Sequence, residues 1–239
     1  IAVIKSGNLV QGEYVRLFEE KLCEYLDVNN AVVVANGTAA LHLSALALDV
    51  HNGSKIITSP ITFAATANCI RYCGGDVHFV DICKDNFLLD IDKIYDLLKK
   101  SKKGTFQGII PVDFAGYPVN TEFLREIADE FGLWILEDAC HAPGGSFITD
   151  DGKVNLCGNG KYSDLTIFSF HPVKHIACGE GGMITTNDDH LYNKILKLRT
   201  HGIYKNKDHY GWEYDMDELG YNYRLTDIQC ALGISQLNK

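Results

Sequence analysis

The chain has 239 residues, 46% of them hydrophobic and 22% charged, the balance of a globular protein long enough to bury a substantial core as one domain or two. A formal net charge of -9 disfavours nucleic acid as the main partner, because phosphate backbones are held by clustered Lys and Arg; a single phosphate held by backbone amides stays open. The eight cysteines are scattered, with no Cys-x-x-Cys pair and no zinc-finger spacing, so buried free thiols in a reducing cytoplasm are expected rather than disulfides or a metal.

In chain order, AVVVAN (31–36) predicts a buried strand and TAALHLSALAL a helix. Together they form the most apolar window, but Asn36-Gly37-Thr38 interrupts it, so a strand, a turn and a helix are expected and not a membrane span. KIITS (55–59) predicts a strand, ITFAATANCIRYC a helix and DVHFVD (76–81) another strand. IDKIYDLLKK sets Ile91, Ile94, Tyr95 and Leu98 on one helical face. QGIIPVDF (107–114) predicts a strand, and Asn120 then caps a helix carrying Phe123, Leu124, Ile127 and Phe131. LWILEDA (133–139), LTIFSF (165–170) and the shorter GMITTN read as strands, and HLYNKILKLRTHG as a helix ending on Gly202. The Gly-, Asp- and Asn-rich segment 149–164 predicts an exposed hairpin or loop. Residues 201–223 form a long aromatic and polar stretch, of the kind that serves function or meets another chain. Thr226-Asp227-Ile228-Gln229 is a capping-box signature that opens a last helix.

Strands separated by helices imply an α/β fold with a largely parallel sheet. Such folds place function in the turns after the carboxyl ends of strands. The polar residues of interest fall there, which favours one composite site.

The segment SFHPVK (169–174) carries a hydroxyl, an imidazole and an amine directly before a glycine cluster. Three chemistries could use them: a Ser/Lys or Ser/His nucleophile, half of a metal site from His171 and His175, or an amine that forms a Schiff base. The nucleophile reading lacks a Gly-x-Ser-x-Gly elbow. The metal reading is weakened by Pro172, which breaks the helix that would align the two histidines. The third suits a pyridoxal phosphate site, with Lys174 as the Schiff-base amine and Ser169 on the phosphate. Elsewhere plain explanations compete: Gly37 can merely turn the chain with Thr38 capping the helix, Phe63 can pack in the core, and Asp138 can cap the next helix.

Taken together, NGTAALHL, PITFAATAN, PVDFAGYPV, LEDACHA, SFHPVK-x-x-x-x-GEGGM and NYRLTDIQCALG resemble, in the same order, the DegT/StrS family of pyridoxal-phosphate sugar-nucleotide aminotransferases. SFH before the lysine and the PVDFAG block carry a finer resemblance to members that aminate a UDP-linked 4-keto-6-deoxy-N-acetylhexosamine for pseudaminic acid. The resemblance implies a three-layer αβα sandwich with a mostly parallel seven-stranded sheet, the large domain of the fold type I transferases. It implies that Lys174 and Asp138 are catalytic, Lys174 as the Schiff-base lysine and Asp138 on the ring nitrogen. Phe63 would stack on the ring, and Thr38, Ala39 and Ser169 would bind phosphate. His141 would lie near the ring oxygen, and Asn222 would reach the cofactor of a partner subunit in a homodimer. L-glutamate would be the amino donor and a UDP-sugar the acceptor, in the cytoplasm. The alternative is a non-catalytic regulator or scaffold on the same fold. Against the family pattern the chain begins late, at IAVIKSGNLVQGEY, and stops at ALGISQLNK before a smaller C-terminal domain. The expectation is therefore a large cofactor-binding domain over 1–239, with a partial N-terminal arm over 1–30, truncated at both ends; the site residues alone do not assure activity of the piece.

Overall fold

The computed structural model describes residues 1–204 and 212–239. The main strands are β1 (Asn30–Val34), β2 (Lys55–Thr58), β3 (Asp76–Phe79), β4 (Gly108–Ile110), β5 (Trp134–Asp138), β8 (Leu165–Ser169) and β9 (Gly182–Thr186). They form one sheet of seven strands in the order β1-β9-β8-β5-β4-β2-β3. Its run from β8 to β3 is parallel, whereas β9 pairs antiparallel with both β8 and β1. Two small ribbons stand outside it, β6 (Ser146–Ile148) with β7 (Val154–Leu156), and β10 (Ile203–Tyr204) with β11 (Asp215–Met216).

The helices are α1 (Ala2–Ser6), α2 (Glu13–Leu26), α3 (Gly37–Ala47), α4 (Ala64–Tyr72), α5 (Ile91–Lys100), α6 (Thr121–Phe131), α7 (Asp189–Arg199) and α8 (Asp227–Leu237). Alternation along the strands sorts them into layers, since successive side chains leave opposite faces. Val32, Val34, Ile56, Ile110, Leu136, Ile167 and Ile184 pack with residues of α3, α4 and α7. Val33, Phe168 and Met183 meet α2 and α8, while Ile57, Ile109 and Ile135 meet α5 and α6. The result is the three-layer sandwich expected. Each such buried apolar side chain contributes about 1.5–3 kcal/mol by removal from water, so the three clusters together hold helices on both faces of the sheet.

Local signals act as the sequence implied. Asn120 Oδ1 accepts from the Phe123 N–H at 3.1 Å and opens α6. Thr226 and Gln229 form both halves of the capping box at α8. The outer edge of β1 is closed by side chains: the Val33 N–H donates to Glu19 Oε1 at 3.0 Å and Arg199 donates to the Val33 carbonyl at 2.8 Å. Asp227 is buried and accepts from the N–H groups of Gly12 and Tyr14, at 2.7 and 3.0 Å, tying the start of α2 to the start of α8. No helix among the described residues is long and apolar enough to cross a membrane. All eight cysteines are free thiols.

Two expectations shift. Regular strand in 107–114 stops at Ile110, because Pro111 has no N–H to donate. Pairing goes on irregularly: the Asp138 N–H donates to the Pro111 carbonyl at 2.9 Å, and the Asp113 N–H to the Asp138 carbonyl at 3.1 Å. The chain then tightens into a 3-10 turn at Phe114–Gly116. The ribbon expected as an exposed segment at 149–164 starts earlier, at Ser146, and its second half turns inward: Asn155, Cys157 and Ser163 are buried. Here the Thr185 hydroxyl binds the Gly158 carbonyl at 2.8 Å and draws the chain onto the sheet. Within the long stretch 201–223, residues 205–211 lie outside the described residues.

Candidate active site

A cavity of about 790 Å³ opens where the carboxyl ends of β2, β4, β5 and β8 meet the start of α3. Thr38, Phe63, Asp138, His141, Ser169 and Lys174 all line it. These residues are far apart in sequence and are brought together because parallel strands present their following turns on one edge of the sheet.

One wall is the N-terminus of α3. The Asn36 side chain, not Thr38, caps the helix, accepting from the Ala39 N–H at 2.8 Å. Thr38 therefore faces the cavity, and the first N–H groups of the helix have no acceptor within it. Ala39 is set back: it is buried, its N–H is taken by Asn36, and it does not line the cavity. Gly37 suits a close approach. A Cβ there would stand 3.1 Å from Ser169 Cβ, so glycine lets the helix approach the end of β8. The arrangement suits an anion, with backbone N–H groups, the positive end of a helix and two hydroxyls close together.

Asp138 forms the floor and is 5% exposed. Thr66 Oγ1 donates to its Oδ2 at 2.6 Å, and the Cys140 N–H to its Oδ1 at 3.2 Å. Thr62 in turn donates to Thr66 Oγ1 at 2.8 Å. Thr66 was not singled out in the sequence, although Thr62 and Thr66 stand one helical turn apart, the spacing of side chains that meet. Cys140 lines the same cavity, and its thiol is pushed well up, first by burial and then by the Asp138 charge, so it stays neutral.

Phe63 precedes α4 and is 74% exposed at the cavity, which overturns the core-packing explanation for it. An exposed aromatic face beside a carboxylate and an amine can carry a flat ring. His141 is half-buried, and its pKa is lowered, first by burial and then by the Lys174 charge, which favours the neutral imidazole.

Lys174 sits in the loop after β8. The Phe170 N–H binds the Gly181 carbonyl at 2.8 Å, the Cys178 N–H binds the Phe170 carbonyl at 2.9 Å, and the Lys174 N–H binds the His171 carbonyl at 2.8 Å. These close the loop and project the lysine into the cavity. His171 lines the cavity too, but no metal-ligand cluster among the described residues includes it or His175. Asn222 is exposed, is bridged to Thr200 and does not line its own chain's cavity.

Comparison with known proteins accords with this geometry. The chain is 42% identical over 236 residues to the UDP-4-amino-4,6-dideoxy-N-acetyl-beta-L-altrosamine transaminase of Campylobacter jejuni, covering 99% of this chain and 59% of that protein. It thus spans about three fifths of the length of that relative. The structure of Helicobacter pylori PseC, an aminotransferase of pseudoaminic acid biosynthesis, superposes with a TM-score of 0.87 at 34% identity, over 100% of this chain and 61% of that one. NtdA of Bacillus subtilis, seen with bound cofactor PMP, superposes with a TM-score of 0.84 at 29% identity, over 99% of this chain and 50% of that one. The family model for the DegT/DnrJ/EryC1/StrS aminotransferases matches residues 1–239, and with fold, cavity and sequence in agreement the chain belongs to that family.

Proposed function

We propose that residues 1–239 are the cofactor-binding large domain of a pyridoxal-phosphate enzyme that moves an amino group from L-glutamate to C4 of a nucleotide-linked 4-keto-6-deoxy sugar. The observation that carries this reading is the single cavity shared by a lysine, a buried carboxylate, an exposed aromatic ring and a helix N-terminus. Those groups fit the cofactor: Thr38, Ser169 and the start of α3 suit its phosphate, Phe63 its ring face, Asp138 its ring nitrogen and Lys174 its carbonyl carbon. Bound there, pyridoxal phosphate supplies a carbonyl that exchanges amines and a ring that draws electrons from the reacting carbon.

Within this reading Lys174 Nζ has two tasks. It would hold the bound group, and as a free amine it would take up and give back the proton of the carbon that gains or loses the amine. Asp138 would stabilise positive charge on the ring nitrogen, and the Thr66 and Cys140 donors hold its carboxylate in one orientation. His141, favoured as the neutral imidazole, serves as a hydrogen-bonding neighbour and not as a competing cation. The phosphate wall would anchor the end of the cofactor that does not react, which would keep its carbonyl carbon beside Nζ.

The acceptor is narrowed by relatives. The 42% identity to the altrosamine transaminase, together with the PseC likeness, supports a UDP-linked acetamido sugar and a place in pseudaminic acid synthesis. A homodimer with shared sites is supported by Asn222, exposed and outside its own cavity, and by the exposed side chains of Trp212, Tyr214, Met216 and Leu219 in the same stretch. Eight free thiols suit the cytoplasm, the compartment proposed for the reaction.

The test is spectroscopic. With pyridoxal phosphate the purified protein should gain a visible absorbance band that L-glutamate bleaches. Borohydride reduction followed by peptide mapping should place the label on Lys174, and Lys174→Ala should lose the band. A label on another lysine sinks the assignment, and a band indifferent to glutamate and to every other amino donor favours the scaffold.

A further inference from the structure

Behind the cavity, on the other face of β5, lies a polar cluster that the amine chemistry leaves unused. Glu137 and Asp138 are consecutive in the strand, so their side chains leave opposite faces. Asp138 points to the cavity. Glu137 enters the packed layer behind it and meets Asp113 and Cys157, with one ligand-type atom of each within 4.8 Å of the others. Asp113 is 0% exposed and Glu137 2%.

Two full negative charges so close, and shielded from water, repel strongly. The hydrogen bonds show how this is avoided. Glu137 Oε2 accepts from Thr166 Oγ1 at 2.7 Å and from Ser163 Oγ at 3.3 Å, as an ionised carboxylate does. Asp113 Oδ1 accepts from the Val119 N–H at 2.9 Å. Asp113 Oδ2 is buried and makes no well-formed hydrogen bond, with the Cys157 thiol facing the carboxyl as its weak donor. A proton on that carboxyl makes it a donor, and Glu137, with an oxygen within 4.8 Å of one of its oxygens, is the acceptor it faces.

We propose that Asp113 and Glu137 share one proton, carried on Asp113 Oδ2 and donated to Glu137, and that this acid pair is a positioning device that holds Asp138 at the cavity. The backbone supplies the link. The Asp113 N–H donates to the Asp138 carbonyl at 3.1 Å, and the Gly116 N–H to the Asp113 carbonyl at 3.0 Å, next to Phe114 of the cavity wall. The side chain of one residue thus anchors the strand through Glu137 while its main chain fixes the residue that follows. Burial, and then the Glu137 charge, pushes the Asp113 carboxyl well up; burial also raises Glu137, while the hydrogen bonds it accepts pull it back down. Two other titratable groups face the pair. The Cys157 thiol is itself pushed up by burial and by both carboxylates, and Asp138 lies across the strand. The hydroxyls of Ser163 and Thr166 and the N–H groups of Val119 and Gly158 also face the pair.

The shared proton is independent of the proposed chemistry; the positioning clause rests on the role given to Asp138. The protein without cofactor should show a protonated-carboxyl stretch in the infrared at neutral pH. That band should shift when aspartate carboxyls are isotopically labelled and vanish in Asp113→Asn. Absence of the band in the folded protein overturns the proposal, as does one equivalent of a divalent metal found by elemental analysis and lost in Asp113→Asn. For positioning, Asp113→Asn keeps a donor toward Glu137 and should bind pyridoxal phosphate within about twofold of the parent, whereas Asp113→Ala should bind it roughly tenfold more weakly or worse. Equal loss in both variants overturns positioning even where the band is found. Where Asp113→Ala does not fold, Asp113→Asn alone decides, since a large loss there contradicts the pair. A parent protein that binds no cofactor but shows the band refutes the functional reading and with it the positioning clause, while the shared proton stands.

Discussion

Gly182 is the place where the fold and the anion wall are most tightly linked, and replacing it with alanine isolates that link. It starts β9 and is paired with Val34 of β1 and Ser169 of β8. A Cβ on it would stand 2.5 Å from both the carbonyl carbon and the oxygen of Asn36, and 2.8 Å from the Gly37 nitrogen. Those distances fall well inside the roughly 3.5 Å at which carbon atoms rest in contact. The obstructing atoms are backbone, so no side-chain rotation relieves them. Either β9 moves from the sheet or the α3 N-terminus moves from Ser169, and the second route opens the anion wall. Forcing a methyl into a packed site costs about 1–3 kcal/mol. Borne entirely by the bound state, that is roughly a five- to hundredfold loss of affinity at ~1.4 kcal/mol per tenfold. Pyridoxal phosphate titrated into Gly182→Ala, followed by absorbance beside a thermal melt of the same sample, reads both routes. Affinity within twofold of the parent and an unchanged melting temperature would refute the crowding and the coupling drawn from it.

Asp138→Asn should leave the cofactor bound but lower turnover of the whole protein by about a hundredfold or more, the scale of losing an aimed electrostatic partner; near-normal turnover at saturating cofactor removes Asp138 from that role. Mixing a Lys174→Ala subunit with a subunit crippled at Asn222 should restore part of the activity, because one hybrid site then holds both intact residues; confirmed subunit exchange without recovery means that each site is built from one chain. The raised Asp113 carboxyl sets a pH dependence with a definite sign. Above the ordinary aspartate range the unfolded chain releases a proton that the folded chain keeps, so the parent loses stability relative to Asp113→Asn as pH rises, until Asp113 ionises in the folded state. Urea midpoints across that window check it, and a difference independent of pH contradicts the shift.

Much of this protein is written in local signals. The caps at Asn120 and Thr226 depend on a side chain and a backbone N–H a few residues away, so their types suffice to read them. Helices are legible where an apolar face repeats at their period, and strands as short continuous apolar runs, because both faces of the sheet are covered. The lysine loop was legible because glycines and an amine follow a hydroxyl-ended strand. What no local pattern carries is the order β1-β9-β8-β5-β4-β2-β3 and the reversed direction of β9, since these depend on which faces bury one another after the chain has turned back several times. Lone residues behave likewise. Phe63 reads as core from its type and is exposed in the fold. Thr66, an ordinary helical threonine in sequence, becomes the donor to Asp138, 72 positions away. Asp113 and Glu137 each read as a polar residue at a strand end, but close packing of β4, β5 and the 157–166 segment removes the water between them. Two carboxyls that would ionise apart in solvent then depend on one another, because only in the assembled interior is the dielectric low enough for a single proton to matter.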